Sequence, residues 1–302
     1  MGDTQAPAAG IGRRTVSANG LDFDVLEAGS GPLVLCLHGF PDHARSFVPL
    51  MLRLADAGFR VVAPNMRGFW PTGPAPDGCY QGWATGGDAV ALVEALGEPQ
   101  AAGLVGHDWG AVAAYAAART APERFARLVA MSVPEGGRLG AAMVTDPLQQ
   151  KRSWYMYFFQ MPFAERALAD SDFALIDRLW ADWSPGYRMP ENEREALKAM
   201  YRQPGVPEAA LAYYRQAFSP AASRPEWAER AAALRGPIQM PSLYLHGRDD
   251  GCIGAELAVG MDGSFAAGLE TAVIDDAGHF LHLEQPRAIA ERIIALLKDA
   301  DR

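Results

Sequence analysis

One five-residue stretch, Gly106 to Gly110, reads GHDWG and places an aspartate at the centre of a G-x-D-x-G frame. The apolar run AAGLV precedes it and the alanine-rich run AVAAYAAAR follows it. A strand that ends in such a frame and leads into a helix makes a sharp turn, which lifts the central side chain above the sheet. The helix N-terminus also favours an anion there. The stretch therefore predicts that Asp108 is a nucleophile; the alternative is that it only caps the helix.

An aspartate in this position predicts substitution at a saturated carbon rather than ordinary ester hydrolysis. A serine that attacked such a carbon would form an ether, which no neighbouring base could cleave. An aspartate forms an alkyl ester instead, and water can attack the ester carbonyl and restore the carboxylate. The chemistry therefore needs a general base for the second step, and hydrogen-bond donors for the oxyanion that forms in it.

The segment HGFP, residues 38–41, follows a buried strand and supplies the predicted oxyanion hole. In a strand–turn–helix architecture of this kind, the backbone N–H groups of Phe40 and Trp109 would both face the tetrahedral intermediate. We expect His38 to hydrogen-bond the loop around this hole.

Two segments near the end of the chain carry the remaining catalytic candidates. DDAGHF, residues 275–280, follows the last predicted strand and places His279 on a loop as the general base. LHGRDDG, residues 245–251, places Asp250 after the preceding strand, where its carboxylate would orient and stabilise the imidazole. The order nucleophile, acid, histidine is one of the orders found in hydrolase triads.

Two other carboxylates remain candidates for the acid. Asp249 precedes Asp250 in the same segment, and Glu135 follows the strand predicted for residues 125–133. The sequence alone leaves this choice open. The remaining histidines lack the spacing of metal ligands, and no phosphate-binding or dinucleotide-binding motif occurs, so we expect neither a metal nor a cofactor.

The segments around these residues predict alternating strands and helices. We expect strands at 13–18, 21–28, within 32–41, at 59–65, 102–107, 125–133, 241–247 and 270–279, and helices at 44–57, 83–96, 109–120 and 285–299. Such alternation is typical of an α/β domain with a parallel sheet and helices on both faces.

Residues 138–235 break this alternation. They show helical periodicity, many aromatic side chains and no convincing buried strand. We therefore predict an α/β core of residues 13–137 and 236–302, interrupted after its sixth strand by a helical cap of residues 138–235. We expect residues 1–12 to form a short disordered lead.

The chain resembles the α/β-hydrolase superfamily across essentially its whole length. The combination of HGFP, GHDWG and AGHF is similar to that of the soluble epoxide hydrolase branch. This resemblance implies an α/β-hydrolase fold, with a mainly parallel eight-stranded sheet and an inserted helical cap. It also implies that the substrate is a small epoxide, which water converts to a vicinal diol.

Two stretches of the cap extend the resemblance. SWYMYFFQMP, residues 153–162, resembles the first ring-opening tyrosine motif of that branch and aligns it on Tyr155, with Tyr157 as the alternative. AYYRQ aligns the second motif on Tyr214, with Tyr213 as the alternative. The sequence departs from the family pattern just after the first motif, at MPFAE. A phenol, with a pKa of about 10, is a suitable proton donor for the alkoxide that leaves an epoxide.

Two other functions remain open. Haloalkane dehalogenases use the same kind of aspartate nucleophile and a tryptophan such as Trp109 as a halide donor, although Phe40 stands where one dehalogenase group has asparagine. Some proteins of this fold bind ligands without catalysis. Either alternative can be distinguished by turnover assays.

Composition limits the remaining possibilities. The 302 residues carry a net charge of −9 and no basic cluster, which argues against a nucleic-acid partner. No apolar run is long enough to span a bilayer. Three widely spaced cysteines fit a reducing cytoplasm, where we expect the protein to be located. The oligomeric state cannot be read from the sequence.

Overall fold

A computed structural model describes residues 9–218, 225–232 and 234–299, and it contains one sheet of eight strands. The strands are β1 (Gly12–Ala18), β2 (Leu21–Ala28), β3 (Leu33–Leu37), β4 (Arg60–Pro64), β5 (Gly103–His107), β6 (Leu128–Met131), β7 (Ser242–Gly247) and β8 (Leu269–Ile274). Their order in the sheet is β1-β2-β4-β3-β5-β6-β7-β8. β2 pairs antiparallel with β1 and β4, and all other pairs are parallel. The predicted mainly parallel eight-stranded sheet is confirmed.

Helices cover both faces of this sheet. Those outside the β6–β7 connection are α1 (Val48–Asp56), α2 (Gly82–Ala95), α3 (Trp109–Thr120), α11 (Leu281–Glu284) and α12 (Pro286–Lys298). β3 shows why two layers form: Leu33, Leu35 and Leu37 join the apolar cluster of α2 and α3, whereas Val34 and Cys36 join that of α1 and α12. Successive side chains of a strand point to opposite faces, so a strand that is apolar throughout needs a cover on each side.

The described part of the connection between β6 and β7 consists of helices joined by loops and adds no strand to the sheet. Its helices are α4 (Arg138–Thr145), α5 (Pro147–Arg152), α6 (Trp154–Phe158), α7 (Ala164–Trp183), α8 (Glu191–Tyr201), α9 (Val206–Phe218) and α10 (Pro225–Ala232). α7 is broken at Ser171–Phe173, where three residues have positive φ. Tyr155, Trp183 and Tyr214 from these cap helices belong to the same apolar cluster as Phe40 of the sheet domain. These helices pack directly on the core, in the part of the chain where the sequence predicts a helical insertion.

Several predicted boundaries differ from the structure. The lead predicted for residues 1–12 is too long, because Ile11 is buried and β1 begins at Gly12; residues 1–8 lie outside the described part. The strand predicted for 270–279 ends at Ile274 and continues as a turn. Parts of the predicted cap and of the C-terminal segment, residues 219–224, 233 and 300–302, also lie outside it. No helix of the described residues is long and apolar enough to cross a membrane.

Candidate active site

Asp108 occupies the tight turn between β5 and α3. Its backbone has φ 52° and ψ −120°, a conformation that non-glycine residues rarely adopt. The turn brings α3 so close to β3 that a Cβ at Gly110 would overlap the carbonyl oxygen of Leu37. The Asp108 side chain makes no N-cap hydrogen bond to α3. The carboxylate is therefore not used as a helix cap, which was the structural alternative for this residue.

The HGFP loop lies against the Asp108 carboxylate. The backbone N–H of Phe40 donates to Asp108 Oδ1 at 2.7 Å. Gly39 permits this approach, since a Cβ there would overlap the same oxygen. His38 accepts a hydrogen bond from the backbone N–H of Met66 at 3.0 Å, and its other ring nitrogen lies 2.9 Å from the carbonyl oxygen of Gly39. The expected role of His38 in holding this loop is confirmed.

The second residue predicted for the oxyanion hole, Trp109, is the first residue of α3. Its backbone N–H therefore belongs to the first turn of the helix, which has no intrahelical partner for its N–H groups. The Trp109 indole N–H is buried and has no hydrogen-bond partner among the described residues. Position 109 thus offers two donors next to Asp108, one from the backbone and one from the side chain.

His279 lies on the loop after β8, between Asp108 and Asp250. Its Nδ1 is 2.9 Å from Asp250 Oδ2, whereas its Nε2 is 3.6 Å from Asp108 Oδ2. The first distance is that of a hydrogen bond and the second is longer than one. The carbonyl oxygen of Trp183, at the end of α7, accepts from the backbone N–H groups of both His279 (3.0 Å) and Gly251 (3.1 Å). The end of α7 thus holds the loops of both His279 and Asp250.

Asp250 follows β7 and is held by its own turn. Asp250 Oδ1 accepts from the backbone N–H groups of Cys252 at 2.7 Å and Ile253 at 2.9 Å. These bonds orient Oδ2 toward His279. The other acid candidates lie elsewhere, since Asp249 is exposed to solvent and Glu135 forms an ion pair with Arg119.

The charges of this group stabilise one another. Burial alone would lower the pKa of His279, but its neighbours, led by the Asp250 carboxylate, raise it well above its ordinary value. Burial alone would raise the pKa of Asp250, but His279 and the backbone N–H donor of Ile253 lower it. The favoured forms of this pair are therefore protonated His279 and ionised Asp250.

The cap contributes two buried tyrosines on neighbouring helices. Tyr155 of α6 and Tyr214 of α9 are at most 1 % exposed, and their ring centroids lie 5.6 Å apart. The Tyr214 ring also lies 5.1 Å from that of Trp109. Burial raises the pKa of both phenols well above its ordinary value, and the charge of Asp108 adds to the effect. Both hydroxyl groups therefore keep their protons at neutral pH.

The two alternative tyrosines point to other partners. Tyr157 is 49 % exposed and donates to the carbonyl oxygen of Met143 at 3.1 Å. Tyr213 is buried and donates to the carbonyl oxygen of Arg67 at 2.8 Å. Tyr157 and Tyr213 are therefore engaged by backbone carbonyl groups elsewhere, whereas Asp108 affects the pKa of Tyr155 and Tyr214.

Three buried side chains near the site were not singled out from the sequence. Cys252 contacts Tyr155, with Sγ 3.2 Å from the hydroxyl oxygen. Gln149 of α5 donates to the carbonyl oxygen of Cys252 at 2.9 Å. Asp42 is 1 % exposed and accepts from Ser46 Oγ at 2.6 Å, and burial raises its pKa to about 7. Its place directly after HGFP was the one signal available in the sequence.

Some of these buried groups have the residue types that bind metal ions. One group consists of Asp42, His107 and His282, and the other of Asp250, Cys252 and His279. Within each group the potential ligand atoms lie within 4.8 Å of one another. In the second group, the Asp250 carboxylate accepts from the backbone N–H of Cys252 and lies 2.9 Å from His279 Nδ1. No step derived below needs a metal, and its absence remains a prediction.

Comparisons with known proteins agree with this geometry. The sequence model of the α/β hydrolase fold family matches residues 32–286. The epoxide hydrolase of Caballeronia sordidicola is 31 % identical to this chain, over 97 % of the chain and 95 % of that protein. Epoxide hydrolase 4 of Homo sapiens is 27 % identical, over 95 % of this chain and 78 % of the human protein.

The chain belongs to the α/β-hydrolase superfamily, in its epoxide-hydrolase-like branch. It is a hydrolase. Solved structures agree on the fold: epoxide hydrolase A from Mycobacterium thermoresistibile superposes with a TM-score of 0.79 at 25 % identity, covering 96 % of this chain and 98 % of that one. An inhibitor complex of the Bacillus megaterium epoxide hydrolase gives a TM-score of 0.81 at 23 % identity, covering 94 % and 99 %.

Proposed function

We propose that this α/β-hydrolase converts an epoxide and water to a vicinal diol through an ester on Asp108. The observation that carries the proposal is the position of this carboxylate. It stands on a strained turn, accepts from Phe40 N–H, and lies near enough to Tyr155 and Tyr214 for its charge to raise the pKa of both phenols. A carboxylate nucleophile facing phenolic donors fits a substrate that has a saturated electrophilic carbon and an oxygen leaving group.

The first step opens the epoxide. One oxygen of the Asp108 carboxylate attacks an epoxide carbon, and the bond between that carbon and the ring oxygen breaks. The ring oxygen leaves with the electron pair and takes a proton from Tyr155 or Tyr214, which both hold theirs at neutral pH. General acid catalysis of this kind contributes typically about 10²–10⁴-fold.

The second step hydrolyses the ester. Ester formation removes the negative charge of Asp108, and with it one of the groups that raise the pKa of His279. His279 then passes its proton to the tyrosine phenolate left by the first step and, now neutral, takes a proton from the attacking water, while Asp250 keeps the ring oriented. It gives that proton to the alkoxide that leaves as the ester bond breaks, and it regains its charge from the proton left on the Asp108 carboxyl group. Water attacks the carbonyl carbon of the ester, and the N–H groups of Phe40 and Trp109 stabilise the resulting oxyanion.

The helical segment of residues 138–235 would act in this scheme as a cap domain that supplies the acids, on a hydrolase core of residues 13–137 and 236–302. The partner of the site is the small epoxide itself. The protein would act in the cytoplasm on such compounds, without a cofactor.

One observation favours a second candidate, haloalkane dehalogenation. The buried indole N–H of Trp109 has no partner among the described residues and could donate to a halide. A chloride- or bromide-release assay with 1-bromobutane tests this candidate. Halide release with no diol formation from epoxides would favour it, and no turnover of either class would favour a ligand-binding role.

The origin of the diol oxygen tests the proposed mechanism. A single turnover with excess enzyme in ¹⁸O-labelled water should give unlabelled diol, because the new oxygen comes from Asp108. The label should enter the peptide that contains Asp108. Fully labelled diol in that first turnover would show that water attacks the epoxide directly, and the nucleophile assignment would be wrong.

A further inference from the structure

Cys252 contacts one of the two proposed acids and not the other. Its Sγ lies 3.2 Å from the hydroxyl oxygen of Tyr155, and both residues are fully buried. The hydroxyl of Tyr214 is equally buried, but its neighbour is the Trp109 indole rather than a thiol. The two phenols are therefore inequivalent before any substrate binds.

The backbone of Cys252 is fixed from two sides. Its N–H donates to Asp250 Oδ1 at 2.7 Å, and its carbonyl oxygen accepts from Gln149 Nε2 at 2.9 Å. The same Gln149 amide accepts from the N–H of Gly254 at 3.0 Å and donates to Ser153 Oγ at 2.9 Å. Because Gln149 is fully buried, these bonds join the acid loop to the cap without competition from solvent.

This arrangement places the thiol at a defined point relative to Tyr155. Ser153 directly precedes α6, the helix that carries Tyr155. The Gln149 amide thus holds both the start of that helix and the residue whose thiol meets the phenol. The hydrogen bonds of Gln149 to Cys252 and to Ser153 thus fix the distance between the Cys252 thiol and the Tyr155 hydroxyl.

We propose that Cys252 is a positioning residue for Tyr155: its S–H donates to the phenolic oxygen and thereby leaves the Tyr155 O–H directed at the epoxide oxygen. This inference rests on the proposed function. Either atom can be the donor at this distance, but a phenol that must donate to substrate can offer the thiol only its lone pairs. Burial raises the pKa of the thiol, so Cys252 holds the proton that this role needs.

The thiol also acts when the ring opens. Tyr155 gives its proton to the departing alkoxide and becomes a phenolate, while the S–H of Cys252 stays on sulfur and donates to the phenolate oxygen. A hydrogen bond to a charged group is stronger than one between neutral groups. The contact therefore stabilises the ring-opened state more than the resting state, which is the requirement for a contribution to rate.

A kinetic double-mutant cycle tests the inference. The measurement is the single-turnover rate of ester formation with styrene oxide and trans-stilbene oxide. Cys252→Ala should lower this rate about 5-fold, the effect of one lost hydrogen bond, and Cys252→Ser should restore most of it. In a Tyr155→Phe background Cys252→Ala should cause no further loss. In the matched Tyr214→Phe background it should still cause the full loss.

The outcomes separate the inference from the proposed function. Equal losses in the two tyrosine backgrounds would mean that Cys252 acts on the fold in general, and the inference would be wrong. If wild-type protein forms no diol from either epoxide, the proposed function fails and this role fails with it. Should Cys252→Ala not fold, Cys252→Val, which fills the space without a polar hydrogen, takes its place in the cycle.

Discussion

Asp42→Asn should change the pH dependence of the free energy of unfolding. Burial raises the pKa of Asp42 from 3.8 to about 7. Between these values the folded protein holds a proton that the unfolded chain releases, so stability falls as the pH rises. At about 1.4 kcal/mol for each pKa unit, Asp42 costs about 4 kcal/mol of unfolding free energy at pH 8. At pH 5 the same linkage lowers the cost of Asp42 in unfolding free energy to about 1.5 kcal/mol.

The asparagine variant removes this titration and keeps an oxygen that accepts from Ser46 Oγ. Urea unfolding at pH 5, 6, 7 and 8 measures the effect. The stability of Asp42→Asn relative to wild type should rise by about 2.5 kcal/mol from pH 5 to pH 8. Asp249→Asn removes one charge at the surface and serves as the control. Parallel pH profiles of wild type and Asp42→Asn would refute the reasoning.

Four further substitutions test the site and the fold. His279→Gln should form the ester once and then stall, so intact-protein mass spectrometry should show one adduct of substrate mass; unmodified protein after long incubation would contradict this. Tyr155→Phe and Tyr214→Phe should each slow ester formation, and the double variant should lose about 10²–10⁴-fold; full turnover would contradict the acid role. Arg67→Met leaves the buried carboxylate of Asp88 unpaired and should cost about 3–5 kcal/mol in chemical unfolding; a loss below about 1 kcal/mol would contradict it.

The local geometry of the site follows from short sequence patterns. The turn at Asp108 could be predicted because its flanking glycines are required where α3 approaches β5, at Gly106, and β3, at Gly110. The choice between Asp249 and Asp250 could not be predicted from the sequence, because both residues follow the same strand. Only the turn after β7, which directs the N–H groups of Cys252 and Ile253 at one of the two carboxylates, separates them.

Contacts between distant segments could not be predicted from the sequence patterns. Cys252 and Tyr155 are 97 positions apart, and nothing in either segment indicates the other. The choice between Tyr213 and Tyr214 depends on how α9 is rotated about its axis, since neighbouring residues of a helix point about 100° apart. That rotation is set by the packing of the whole cap. The alignment of motifs, rather than periodicity, favoured Tyr214.

The carbonyl group of Trp183 limits how the two parts of this protein can move or be exchanged. It accepts from the loops of both Asp250 and His279, at Gly251 and at His279 itself. A motion that lifted this end of α7 would break both hydrogen bonds and disturb the loops of Asp250 and His279 together. If residues 138–235 are replaced by the corresponding segment of a relative, that segment must supply an equivalent carbonyl group at the position of Trp183. Otherwise we expect the chimaera to bind substrate without completing turnover.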